Sequence, residues 1–121
     1  MKELTLNEYQ EKAMDTCMSS CDNFAYMALN KVGETGEFLG KIGKLIRKGH
    51  AYIDGNQINF TKDVSEETIL ELKYELGDMM WHDAGLCKVF GWSFNEVAQL
   101  NLEKLRDRAK RGKIDGNGDH R

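Results

Sequence analysis

Not one of the 121 residues is proline. A proline inside a helix costs about 3 kcal/mol through a lost hydrogen bond and a ring clash. Every helix this chain begins can therefore run until another signal stops it. Thr5 followed by Glu8 is a capping box, and Leu6, Tyr9, Ala13, Met14 and Cys17 fall on one side of the helix it opens. The cluster Ser19-Ser20-Cys21-Asp22-Asn23 ends that helix and caps a second, predicted from Phe24 to Lys48 with Gly49 as its stop. On a helical projection Leu29, Val32, Leu39, Ile42 and Ile46 share one face. Gly36, Gly40 and Gly43 form a strip along one edge of that face, which predicts close approach of another helix there.

The stretch 51–60, AYIDGNQINF, breaks the helical pattern: apolar residues flank an Asp54-Gly55-Asn56 turn signal, so a short hairpin is expected. Asp63 with Glu66 then caps a third helix over about 64–90, whose core face would be Ile69, Leu72, Leu76, Met79, Met80, Cys87 and Phe90, and Gly91 ends it. Ser93 with Glu96 caps a fourth helix over about 94–111. The reading is a single all-α domain over 1–121, a four-helix antiparallel bundle with a β-hairpin insertion near 51–60 and a polar, glycine-rich tail over 112–121.

Hydrophobic residues at 40% and charged residues at 31% are ordinary globular proportions, and a net charge of -3 gives no reason to expect a nucleic-acid binder. No apolar run approaches the roughly 18 residues of a membrane span. The charged N-terminus MKELTLNEYQEK lacks a signal-peptide core, and Cys17, Cys21 and Cys87 fit no disulfide framework. A cytoplasmic location with reduced thiols is expected, with no membrane or nucleic-acid partner.

Two acidic pairs bear on function. Glu34 and Glu37 point away from the Val32–Leu39–Ile46 face. Taken alone they suit a solvated surface, with Glu37 and Lys41 in the favourable i,i+4 order. On the third helix, Glu71, Glu75, Asp78 and His82 follow at spacings of four, three and four, on one ribbon beside the core face. Their like charges repel, and no lysine is interleaved to relieve them. Two helices facing each other with an acidic pair apiece would bring four carboxylates together. All-oxygen ligation suits Mg²⁺, with Mn²⁺ as a substitute. Di-iron bundles instead use Glu-x-x-His, whereas position 37 is Glu and position 78 is Asp. His82 is read as a packing residue or one that supports the ligands from behind.

On the fourth helix Asn101 falls on the apolar stripe Phe94–Val97–Ala98–Leu105, where an amide would need partners. Lys104, Arg108 and Arg111 flank the same side, as a basic edge or as a phosphate clamp. A P-loop is excluded: the glycine-lysine spacing is one residue short, Ile42 follows Lys41 in place of Ser or Thr, and no strand precedes it.

With 34-ETGE-37, 75-ELGD-78 and its following Met79-Met80-Trp81, 101-NLEK-104 and 110-KRGKIDGNGDHR-121, the chain resembles the MazG-like family of all-α nucleoside triphosphate pyrophosphohydrolases from Tyr9 onward. The resemblance implies hydrolysis of a nucleoside or deoxynucleoside triphosphate to monophosphate and pyrophosphate, in a dimer or tetramer with sites near subunit contacts. It implies Glu34, Glu37, Glu75 and Asp78 as Mg²⁺ ligands, with Asn101 and Lys104 holding the nucleotide; Trp81, Phe24 and Tyr26 then suit either the core or stacking on the base. Some relatives carry a further Glu where this chain has Gly33, and the 51–60 hairpin lengthens the connection between the acidic pairs. That hairpin is a lid, a base-selecting wall or an oligomer contact. Water would attack the α-phosphorus, with Glu34 as general base. The rival reading is a non-catalytic helical module that senses nucleotides or binds a protein, suggested by the basic segment Lys104–Lys113.

Overall fold

A computed structural model describes residues 2–112. In chain order these form α1 (Leu6–Met14), α2 (Phe24–Arg47), β1 (Ala51–Asp54), β2 (Gln57–Phe60), α3 (Glu66–Phe90) and α4 (Phe94–Arg111). This is the expected all-α bundle with a hairpin between its second and third helices. Nearly all of the expected tail, 113–121, lies outside the described residues.

Local chemistry sets most boundaries. Thr5 Oγ1 accepts from the Glu8 amide at 3.1 Å, and Ser93 Oγ from the Glu96 amide at 2.9 Å. Asn23 Oδ1 caps α2 by accepting from the Tyr26 amide at 2.8 Å. Gly91 closes α3 in the left-handed conformation, φ 77°, which glycine adopts without a Cβ penalty. Two ends differ from expectation. α1 stops at Met14, which leaves Cys17 in the turn that follows. Ser65, not Asp63, caps α3, accepting from the Thr68 amide at 3.1 Å. Aspartate and serine cap about equally well, so the choice falls to tertiary contacts: Asp63 accepts from the Thr61 hydroxyl and lies 3.0 Å from His50 Nδ1.

The main contact is α2 against α3, with α1 laid across α3 and α4. α2 and α3 run antiparallel, since Lys31 Nζ meets Asp83 Oδ1 at 2.6 Å and Lys41 Nζ meets Glu75 Oε1 at 2.9 Å. At the far end Met27 packs so close to Gly85 that a Cβ there would clash with its sulfur. The core cluster is small, formed by Met14, Cys21, Met27 and Ala84. Trp81 Nε1 ties α1 to α3 by donating to the Ala13 carbonyl and to Thr16 Oγ1, both at 3.1 Å. The hairpin pairs Ala51 with Phe60 through Asp54 with Gln57 and touches α2 through β1. Ala51 is buried, whereas Tyr52, Ile53, Ile58 and Phe60 are exposed.

The apolar face of α2 is the principal correction. Leu29 and Val32 are 72% and 73% exposed, and Leu39 and Ile46 are also open to solvent. The side of α2 that meets α3 carries Met27, Lys31, Glu34 and Lys41 instead. A Cβ at Gly36 or Gly40 would meet nothing within 4 Å, and one at Gly43 only the Arg47 side chain of the same helix, so no other helix among the described residues packs on the glycine strip. On α3, Leu72 and Cys87 are buried as expected, but Leu76, Met80 and Phe90 are exposed, and His82, Ala84 and Gly85 are buried in their place.

Candidate functional site

The antiparallel α2–α3 register places Glu34 and Glu37 opposite the Glu75–Asp78 turn, between the Lys31–Asp83 and Lys41–Glu75 ion pairs. Carboxylate oxygens of Glu34, Glu37 and Glu75 converge within 4.8 Å of one another. Glu34 Oε2 and Glu75 Oε2 are shielded from solvent and have no hydrogen-bond partner among the described residues. The Glu34 carboxyl is held above the usual glutamate range, first by burial and then by the charges of Glu37, Asp78 and Glu75; His82 acts in the opposite sense. Lys41 does not pair with Glu37. It crosses to Glu75, whose hydrogen bond raises the lysine above its ordinary value.

Three crowded carboxylates with two unmet oxygens fit a hard divalent cation, which would offset their repulsion and fill the orphaned lone pairs. Asp78 is exposed and outside the tight group of three, although its charge acts on Glu34.

The remaining site residues are spread more widely. Tyr26 stacks on His82 and is close enough to feel the Glu34 charge, while a hydrogen bond to Cys21 is the main cause raising its hydroxyl above the ordinary range. Trp81 is held by its hydrogen bonds to α1. Phe24 belongs to an exposed aromatic row, edge-on to Phe90 at 5.9 Å, with Phe90 stacked on Trp92 at 4.7 Å. Asn101 is exposed and so needs no buried partner, contrary to its place on the stripe. With Lys104 it lines a groove of about 360 Å³ that also contains Trp92, Val97 and Leu100. Arg108 is 3% exposed, which is no snorkelling edge. α4 packs on α1 and α3, so Asn101 and Lys104 stand on a helix apart from the α2 carboxylates.

Trp92 and Lys31 were missed, and Lys41 was paired with Glu37 rather than Glu75. Trp92 opens the groove beside Asn101; its only sequence signal is its position just before the Ser93 cap. Lys31 and Lys41 act across helices, a pairing that no local spacing reveals.

A family model for the MazG nucleotide pyrophosphohydrolase domain matches residues 23–112. That range takes in both acidic pairs and the groove on α4. The chain belongs to the MazG family. The Gene 37 protein of Mycobacterium phage L5 is 34% identical over 120 residues, covering 93% of this chain and 96% of that relative. No solved structure matches the chain significantly. Membership in the MazG family implies a hydrolase of nucleotide phosphoanhydride bonds. No helix among the described residues is long and apolar enough to cross a membrane.

Proposed function

We propose that this MazG protein is a Mg²⁺-dependent nucleoside triphosphate pyrophosphohydrolase that converts a nucleoside or deoxynucleoside triphosphate to the monophosphate and pyrophosphate. The observation that carries the proposal is the convergence of Glu34, Glu37 and Glu75 with two shielded, unpartnered oxygens. Glu34, Glu37, Glu75 and Asp78 would hold the cation, which supplies charge neutralisation to the triphosphate. Lys41 orients Glu75 by holding its Oε1. Glu34 takes the proton of the water that attacks the α-phosphorus, a role that suits a carboxyl whose proton affinity is already raised. Asn101 and Lys104 are assigned to the phosphates, a role that burial withdraws from Arg108, and Tyr26, Trp81 and Phe24 to the base.

The proposed enzyme works as a homo-oligomer. The exposed apolar face of α2 supports this, since monomers rarely leave such a face uncovered. A partner could also supply the α4 groups that stand apart from α2 in one chain.

A nucleotide panel with purified protein and Mg²⁺ or Mn²⁺ is the test, read by separating products. Glu37→Gln and Asp78→Asn are each expected to lower kcat/KM at least about a hundredfold, on the scale of other charge-stabilising groups. Full activity in both would sink the site assignment. Tight nucleotide binding in calorimetry without turnover would favour the sensing module.

A further inference from the structure

His82 is a buried polar side chain to which the mechanism above gives no part. It lies on α3 one turn beyond Asp78 and is 6% exposed. Tyr26 of α2 stacks on the ring at 6.2 Å and 21°, and Trp81 meets it edge-on at 4.9 Å and 71°. Nδ1 lies 2.8 Å from the Asp78 carbonyl oxygen. A carbonyl oxygen can only accept, so Nδ1 carries the proton. In the neutral ring Nε2 then bears the lone pair. That nitrogen is shielded from solvent and has no hydrogen-bond partner among the described residues.

An unmet buried acceptor is destabilising, and the contacts with Tyr26 and Trp81 hold the ring in place. His82 is near enough to act electrostatically on Glu34. Glu34 Oε2 and Glu75 Oε2 are two further unmet acceptors. Three unmet acceptors thus gather between α2 and α3, where Lys31 and Lys41 are already engaged with Asp83 and Glu75 Oε1. His82 stands outside the group of three carboxylates that converge within 4.8 Å, and its Nε2, like Glu34 Oε2, is left without a donor among the described residues.

We infer that His82 is a positioning residue for the hydrolytic water: Nε2 accepts one of its hydrogens while Glu34 accepts the other. This inference rests on the pyrophosphohydrolase reading. With both O–H bonds directed, a lone pair of the water is left to face the α-phosphorus. On attack the new bond joins the water oxygen to the α-phosphorus, and the bond to the β-phosphate oxygen breaks with its electron pair leaving on pyrophosphate. One proton passes to Glu34. The second hydrogen stays on the new phosphate oxygen, still bonded to Nε2, so His82 gains and loses no proton.

Long-range proton–nitrogen NMR of the His82 ring tests this on the full chain, with and without Mg²⁺ and a non-hydrolysable triphosphate. The expected result is a proton on Nδ1 and a bare Nε2 whose resonance moves when both are added. A proton on Nε2, or an Nε2 that stays unmoved while calorimetry shows both bound, overturns the inference and leaves the hydrolase reading standing. Absence of any binding in calorimetry overturns both. Kinetics supply a second arm. His82→Phe keeps a ring for Tyr26 and Trp81 without an acceptor, and His82→Gln places an amide oxygen near the Nε2 position. The expectation is a kcat loss of roughly a hundredfold for His82→Phe with KM within about threefold, and partial recovery in His82→Gln. An active His82→Phe with a crippled His82→Gln would show a packing role alone and overturn the inference. Should His82→Phe fail to fold, the NMR arm on the unaltered chain still decides.

Discussion

Glu34 meets conditions that no surface carboxylate would. Burial and three neighbouring acids hold its proton more tightly in the folded chain than in the unfolded one. The stability this confers is complete below the ordinary glutamate range and is lost as pH rises from there through the raised folded value. At neutral pH the cation-free protein therefore carries the strain of a charged Glu34. Glu34→Gln is expected to raise the melting temperature of the cation-free protein at neutral pH, with a gain that fades on acidification; thermal scans in chelator at two pH values would check it. A cation relieves the same strain in the unaltered chain. Mg²⁺ at a hundred times its dissociation constant would add about 2.7 kcal/mol, and Glu34→Gln should blunt that response. Equal Mg²⁺ stabilisation of both proteins would remove Glu34 from the site.

Among the elements, two glycines make opposite predictions. A Cβ on Gly85 would clash with the Met27 sulfur, where α2 and α3 approach closely. Gly85→Ala should cost about 1–3 kcal/mol by overpacking, measured as a lower denaturant midpoint. A Cβ on Gly36 meets nothing within 4 Å, so within one chain Gly36→Ala should gain up to about 1 kcal/mol of helix propensity. Helix limits were legible because caps are local: Thr5 with Glu8 and Ser93 with Glu96 are decided by residues three apart. The facing of α2 was not legible. Periodicity finds an apolar face without saying what covers it. The polar side of α2 turns inward because α3 brings Asp83 and Glu75 to Lys31 and Lys41, contacts between residues far apart in sequence. The site was legible in part for the same reason. Two acidic pairs marked the right turns, but which oxygens converge, and that His82 is buried beside them, depends on helix register.

For the whole molecule, an exposed apolar face and a small core belong to the same account. Among the described residues Met27 is the largest fully buried side chain, while Leu29, Val32 and Leu39 face solvent. A chain of this size gains little from so few buried groups, and a second copy on α2 would supply the missing burial. Val32→Glu is expected to dissociate the assembly in sedimentation equilibrium and to lower its melting temperature; an unaltered protein that sediments as a monomer would contradict this. Gly36→Ala would then lose stability in the assembly, reversing its single-chain sign. The central claim is that the α2–α3 carboxylates serve attack by water on the α-phosphorus of a nucleoside triphosphate. Turnover with Mg²⁺ in heavy-oxygen water, with mass analysis of both products, tests it most directly. The account predicts the label in the monophosphate and none in pyrophosphate. Label in pyrophosphate, release of diphosphate with inorganic phosphate, or no turnover of any nucleotide would contradict it.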